Sequence, residues 1–329
     1  MYQSPNKKIW TGRNDPFDGE DGHLWHHVVE VVDMEKSLVP AVHPNQVAIL
    51  GFASDEGVKR NQGRPGAKDG PDVIRKAMCN LAVHFNSDEL MIKDVGNVAT
   101  VKSKLEEAQK ELSEKVTTLL GAGYFPILLG GGHEIAYGHY NGIYEFVKDK
   151  PKRNIGVINF DAHFDFRSYA NGAHSGSPFR QIVDDCEERG EQIHYLPIGI
   201  NQAANQRAQF KVMEIYNQTY IPLEEVRIDT IEEIKMRILG FAARMDYIYI
   251  TLDLDVMSMG FSPGVSAPAA FGVFPYLVRG MIKTILGTGK VISFDVAEFN
   301  PTYDDGRTAK LAASFVYDVA MSRKKKEKN

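Results

Sequence analysis

The sequence predicts one doubly wound α/β domain built on a parallel sheet that is covered on both faces. Three observations predict it. Short apolar runs alternate with longer amphipathic segments through the whole chain. Several runs, ILLG at 127–130 and YIYITL at 247–252 among them, are nearly all apolar, as in strands buried on both sides. No low-complexity linker and no internal repeat interrupts the strand-then-helix order, so a single domain is expected.

Taken in order, the strand expected at 47–52 leads to a helix at 71–81, and the strand at 90–95 to a helix at 103–120. Strand 125–129 precedes helix 134–147, strand 155–160 precedes helix 178–188, and strand 194–198 precedes helix 206–216. The remaining pairs are 219–222 with 230–245, 247–252 with 275–285, and 291–296 with 308–321. Residues 1–45, with Trp10, Trp25 and scattered charges, read as an irregular extension packed on a catalytic domain spanning 46–321. The basic run from Arg323 to Lys326 places a solvated, disordered tail at 322–329.

Composition excludes several function classes. The 329 residues are 43% hydrophobic and 25% charged, an ordinary globular balance, and the net charge of −5 gives no pull toward nucleic acid or an anionic membrane. No apolar run approaches the length needed to span a bilayer. Two cysteines, Cys79 and Cys186, both in helical segments, make a disulfide framework unexpected and a cytoplasmic, reducing setting expected.

In open α/β sheets the ligand site lies beyond the carboxyl ends of the strands. Four loops there carry ionisable residues. GGGHE, Gly130 to Glu134, allows a sharp turn that ends on His133, although a histidine after a glycine turn can also be a simple helix cap. Asp161-Ala162-His163-Phe164-Asp165 offers three donors at i, i+2 and i+4, which an extended chain would project to one side. Three such groups at a buried strand end are costly unless a cation neutralises them. Asp253-Leu254-Asp255 ends another apolar run, where mutual repulsion would raise one pKa unless a metal sat between the pair. Glu298, after the VISF run, stands past the strand register and enters from the loop, with a surface acid before a proline turn as the competing reading.

Two histidines and four aspartates exceed what one ion normally takes from a protein. Oxygen-rich, thiolate-free ligation favours two hard divalent ions, with Mn²⁺ ahead of Zn²⁺, and hydrolysis by an activated water.

GGGHE, DAHFD, DLD and EFNP, in this order, resemble the ureohydrolase superfamily of arginase, agmatinase and formimidoylglutamase. The resemblance runs from about Trp10 to the last helix. It implies a three-layer α/β/α fold around an eight-stranded, mainly parallel sheet, a binuclear Mn²⁺ centre and a homo-oligomer. It also implies that His133, Asp161, His163, Asp165, Asp253 and Asp255 are the metal ligands, with Asp161 and Asp253 bridging. WTGRNDP, GFASDEGVKRNQGRPGA, SGSPFRQI, GVSAPAA and FNPTYDDGRTAKLAA look most like the formimidoylglutamase branch. That branch hydrolyses N-formimidoyl-L-glutamate to L-glutamate and formamide in histidine degradation, by attack of a hydroxide bridging the metals. Asp165 would then carry a proton to the departing amine, and Glu298 would pair with the cationic C–N group.

Arg167 stands where arginases place an asparagine against the substrate's α-carboxylate, and a guanidinium there suits a substrate with two carboxylates. Its other reading is that it balances the acidic cluster. The loop GINQAANQR has no acid to hold an α-ammonium; Asn201 and Arg207 are the expected substrate contacts there. The proton-shuttle histidine of arginases aligns with Ser175, and His174, one place early, does not inherit that role. Two alternatives remain: a guanidino hydrolase releasing urea, and a non-catalytic binding protein on the same fold.

Overall fold

The computed structural model describes residues 1–325. All eight expected strands form: β3 (Gln46–Ala53), β4 (Met91–Ala99), β5 (Phe125–Leu129), β6 (Ile155–Phe160), β7 (His194–Ile200), β8 (Ile221–Pro222), β9 (Tyr247–Asp253) and β10 (Val291–Ala297). Two short strands join them, β1 (Tyr2–Gln3) and β2 (Glu30–Val31), so the sheet has ten strands where eight were expected. Both additions come from the N-terminal segment. β1 runs antiparallel to β4, pairing Tyr2 with Val98, and β2 runs parallel to the same strand.

The main path runs β1-β4-β3-β5-β10-β9-β6-β7-β8, and every pairing in it except β1 with β4 is parallel. Helices cover both faces. α3 (Gly70–Met78), α8 (Ile231–Ala243), α9 (Pro275–Leu286) and α10 (Arg307–Met321) bury one core. α4 (Leu105–Gly121), α5 (Ile135–Val147), α6 (Pro178–Glu188) and α7 (Arg207–Ile215) bury the other. Two one-turn helices, α1 (Trp25–Val28) and α2 (Glu56–Arg60), complete the set among the described residues.

Periodicity explains the layers. α10 buries Ala309, Ala312, Ala313, Val316, Val319 and Ala320, one stripe at three- and four-residue spacing. β5, FPILL, is buried along its whole length, as a central strand must be.

The N-terminal segment is tied down by specific contacts. Trp10 is 6% exposed, and its indole N–H donates to Asp94, which also pairs with the buried Arg75 at 2.8 Å. Trp25 is fully buried against Tyr317. At the other end, the basic run is held at its start. Lys325 N–H donates to the Glu89 carbonyl, Lys324 Nζ pairs with Glu89 at 3.2 Å, and the Arg323 guanidinium lies 4.8 Å from the Phe125 ring centroid. Residues 322–325 of the expected tail thus meet a carboxylate, a carbonyl and a ring through two side chains and one backbone N–H. Residues 326–329 lie outside the described residues.

Candidate metal centre

Each of the four motifs with ionisable residues, GGGHE, DAHFD, DLD and EFNP, lies at the end of one of four strands that run side by side, β5-β10-β9-β6. The sheet therefore gathers residues separated by more than 160 positions at one edge.

The glycine turn after β5 is threaded between neighbours. Gly131 N–H donates to the Phe52 carbonyl, and Glu298 N–H donates to the Gly131 carbonyl, each at 2.8 Å. A Cβ at Gly131 would fall 1.8 Å from the Ser54 carbonyl oxygen, so no side chain fits. This close approach carries His133 inward, where it is 1% exposed.

His133 Nδ1 lies 2.8 Å from Asp165 Oδ2, 3.1 Å from Asp161 Oδ2 and 3.3 Å from Asp253 Oδ2. His163 Nδ1 lies 3.0 Å from Asp255 Oδ2 and 3.5 Å from Asp161 Oδ1. Two donor groups result, one of His133, Asp161, Asp165 and Asp253, the other of Asp161, His163 and Asp255. Asp161 belongs to both and turns one oxygen to each histidine.

This set fits divalent cations on its own chemistry. Thr251 Oγ1 donates to Asp295 Oδ1 at 2.6 Å, so it accepts the proton of His133 Nε2 at 3.0 Å. With Nε2 donating there, loss of the Nδ1 proton leaves a lone pair facing three carboxylate oxygens, an arrangement that a cation satisfies.

The charges perturb one another strongly. Burial alone would lower the His133 pKa, but hydrogen bonds to Asp161 and Asp165 hold it well above the usual range. Burial, then the charges of Asp255 and Asp161, push Asp253 well up. Burial and the charge of Asp161 push Asp165 up to about 6.

The DxHxD run is not extended, contrary to the one-sided arrangement expected of it. β6 stops at Phe160, and Asp165 adopts a left-handed backbone with φ 49°. Side chains replace the ladder: His163 N–H donates to Asp161 Oδ1 at 2.7 Å, and Phe164 N–H donates to Asn205 Oδ1 at 3.0 Å. The bend returns Asp165 to His133 and sends His163 to the other group. Asp253 does the same for its own loop, accepting Asp255 N–H at 2.8 Å.

Glu298 follows β10 directly, again left-handed at φ 64°, and its Oε1 accepts His133 N–H at 2.8 Å. Burial, with the charges of Glu134 and Asp255, pushes its carboxyl up to about 8. It lines a cavity of about 410 Å³ with His163, Asp165, Asp253, Asp255 and Arg167.

The expected contacts from the loop after β7 are not in this cavity. Asn201 turns its side chain back to accept Ala203 N–H, capping a short turn. Arg207 opens α7 on its outer side and lines a different cavity with Phe210 and Glu214. Gln206 and Gln209 reach the cavity instead. An acid-free loop was legible in the sequence; which of its amides face inward depends on the phase of α7. His174 is likewise turned away, with Nε2–H donating to the Ser168 carbonyl and Nδ1 accepting Gly176 N–H, while Ser175 lines the cavity.

Sequence reasoning also missed a polar row beneath the candidate ligands. Asp295, Thr251 and Asn159 are neighbours in register on β10, β9 and β6. Asn159 Nδ2 donates to Asp161 Oδ2 at 3.0 Å, and Thr251 holds His133. Asp295 accepts further bonds from the Tyr249 hydroxyl and from His139 Nδ1 on α5, the latter at 2.6 Å. The signal was present: Asn159 and Thr251 each stand two residues before a candidate ligand, inside an apolar strand.

This fold, with its acid- and histidine-lined edge, defines a metallohydrolase of the arginase type, and the chain belongs to the arginase family, whose model matches residues 45–322. It is 39% identical over 322 residues to the formimidoylglutamase of Geobacillus thermodenitrificans, covering 98% of this chain and 97% of the relative. It is 42% identical over 320 residues to the formimidoylglutamase of Chromobacterium violaceum, covering 95% and 97%. Among solved structures it is similar to Trypanosoma cruzi formiminoglutamase with Mn²⁺, with a TM-score of 0.75 and 27% identity over 86% of this chain and 95% of that one. The formimidoylglutamase of Bacillus subtilis shares the fold at a TM-score of 0.79, with 20% identity over 95% and 94%.

Proposed function

We propose that this chain hydrolyses N-formimidoyl-L-glutamate to L-glutamate and formamide, at a centre holding two Mn²⁺ ions. The observation that carries the two-ion reading is Asp161, whose two oxygens each face a different histidine and so join two donor groups. Full-length relatives named formimidoylglutamase, at about 40% identity, support the substrate. They do not favour the urea-releasing alternative.

When bound, the ions would acidify a water so that hydroxide is available near neutral pH. The chain's own residues supply the rest. Glu298, held by His133 N–H at the cavity wall, pairs with the N–H groups of the cationic formimidoyl centre. Asp165, also on that wall, carries the proton that the departing glutamate nitrogen needs as its C–N bond breaks. Arg167 takes a substrate carboxylate. Asp161 and the row beneath it fix where His133 and His163 point. In the same reading, residues 46–321 form the catalytic unit of a cytoplasmic homo-oligomer with 1–45 packed on it. Both cysteines are buried and unpaired, and no helix among the described residues is long and apolar enough to cross a membrane.

Parallel incubation of Mn²⁺-loaded protein with formimidoylglutamate, arginine and agmatine tests the proposal by product. Formamide from the first is expected. Urea from either of the others, with no formamide, would overturn it.

A further inference from the structure

We infer that Asn61 is a positioning residue: it holds the Arg167 guanidinium, with Ser175, as a carboxylate subsite in the wall of the metal-lined cavity. The inference rests on the reading that Arg167 meets a carboxylate of the substrate.

Arg167 is exposed and lies beside an acidic cluster, yet it makes no ion pair with any described residue. A guanidinium that served to balance the cluster would bond to it. Its one side-chain partner among the described residues is instead an uncharged amide, with Arg167 Nη1 donating to Asn61 Oδ1 at 2.6 Å. One nitrogen is therefore fixed and the other two keep their N–H groups for a ligand. A planar guanidinium anchored at one corner meets a carboxylate through two parallel bonds.

Asn61 is itself fixed in orientation. Its Nδ2 donates to Ser175 Oγ at 3.1 Å, which leaves Oδ1 facing Arg167. Ser175 is 7% exposed and lines the same cavity; its oxygen accepts from Asn61, so its own proton is free to be donated inward. Gly176 leaves room for the pair. A Cβ there would come within 3.0 Å of Arg167 Cδ and 3.1 Å of Asn61 Nδ2, while Arg167 N–H donates to the Gly176 carbonyl at 2.9 Å.

Asn61 ends α2, and that helix is pinned from two sides. Glu134, next to His133, accepts Gly57 N–H and the Ser54 hydroxyl, both at 2.9 Å. Arg60 donates to the Ala173 carbonyl at 3.0 Å and to Glu106 at 2.6 Å, tying α2 to the loop that carries Ser175. The metal turn, the Asn61 helix and the Arg167 loop thus share one frame. An amide at position 61 directs the guanidinium without neutralising it, which a carboxylate there would do.

The test compares R167A, N61A, N61D and the double variant N61A/R167A in Mn²⁺-loaded protein, reading KM and kcat separately with metal content as a control. R167A is expected to raise KM for formimidoylglutamate by about 10–100-fold, the loss of a charge-assisted contact. N61A is expected to raise KM about tenfold with kcat little changed, and N61D to raise it further by pairing with Arg167. The double variant should match R167A alone, because Asn61 acts through the arginine.

N-Formimidoyl-4-aminobutyrate and N-formimidoyl-2-aminobutyrate each lack one carboxylate. The N61A effect should vanish on whichever lacks the group that Arg167 holds. An unchanged KM in R167A refutes the substrate contact itself. A raised KM in R167A with wild-type values in both Asn61 variants refutes the positioning role, as does an additive double variant or an N61A effect that persists on both analogues. N61D, closest in shape to the native side chain, decides the matter if N61A fails to fold.

Discussion

Thr251→Val should weaken Mn²⁺ binding 10–100-fold, although the side chain touches no metal. Its hydroxyl stands between two buried groups, accepting His133 Nε2–H at 3.0 Å and donating to Asp295 Oδ1 at 2.6 Å. Valine keeps the shape and removes both bonds. His133, 1% exposed, then has a buried N–H without a partner, at a cost of about 1–3 kcal/mol. The same change frees the ring to carry its proton on Nδ1, the nitrogen that faces the carboxylates. Loss of an outer partner of a ligand histidine typically costs 10–100-fold in metal affinity, which is about 1.4–2.7 kcal/mol and agrees with the hydrogen-bond figure. The assay is Mn²⁺ titration of chelator-treated protein, followed by calorimetry or by loss of the free-ion EPR signal. Thr251→Ser, which keeps the hydroxyl, should bind within a few-fold of wild type. Wild-type affinity in Thr251→Val would refute the reasoning, because the tautomer of His133 would then not depend on Thr251.

Two further predictions concern the scaffold. Burial pushes the Glu134 carboxyl up to about 7, against an ordinary 4.5, so the folded chain keeps a proton that the unfolded chain loses between those values. Stability of the metal-free protein should therefore fall as pH rises through that window, and Glu134→Gln should gain about 3 kcal/mol on wild type between pH 4.5 and pH 8 in denaturant melts. A constant difference across that range would count against a buried, protonated Glu134. Trp10→Phe should cost about 1.5–3 kcal/mol in the same melts, since it removes the indole bond to the charged Asp94 and little apolar area; a loss under about 0.5 kcal/mol would mean the N-terminal segment is not held by that bond.

The fold was largely legible because a parallel sheet buried on both faces leaves an apolar signature in its strands, and the central ones carry it, although β4, with Lys93, Asp94 and Asn97, and the two-residue β8 carry it weakly. The two extra strands lack it. Tyr2–Gln3 and Glu30–Val31 are two residues each, and their pairing is decided by the exposed edge of β4, not by any pattern of their own. The six candidate ligands were legible because histidines and aspartates at apolar strand ends call for a cation. Their division into two groups was less so. It depends on left-handed backbone at Asp165 and on short side-chain-to-backbone bonds, where local polar chemistry overrides strand geometry. Asn201 and Arg207 lie outside the metal-lined cavity for a related reason: residue type identified the loop's character, while capping and helix phase brought Gln206 and Gln209 to its wall. The row of Asn159, Thr251 and Asp295 shows a signal that period-two reading can use. A polar residue two places before a ligand lies on the same face and is positioned to bond to the ligand set.

That row and the four aspartates above it make the site costly to assemble without positive charge. Asp253 is driven well above the usual carboxylate range by burial and by its neighbours Asp255 and Asp161, so folding this edge depends on protons or cations. Metal binding and stability are accordingly linked. A ligand that binds only the folded chain at 100 times its Kd stabilises it by about 2.7 kcal/mol, which for a chain this long shifts Tm by roughly 4 °C. Thermal melts of chelator-treated protein with and without added Mn²⁺ should show that rise. Asp253→Ala removes an oxygen 3.3 Å from His133 Nδ1 and one of the mutually repelling carboxylates together. Its metal-free Tm should not fall below that of the metal-free wild type, its circular dichroism should be unchanged, and both the Mn²⁺-dependent rise and the activity should be lost. The opposing effects separate a metal ligand from a packing residue: a packing residue would lower the metal-free Tm and leave the Mn²⁺ increment intact. An Asp253→Ala protein that still gained the full increment, or turned over at the wild-type rate, would remove Asp253 from the metal site.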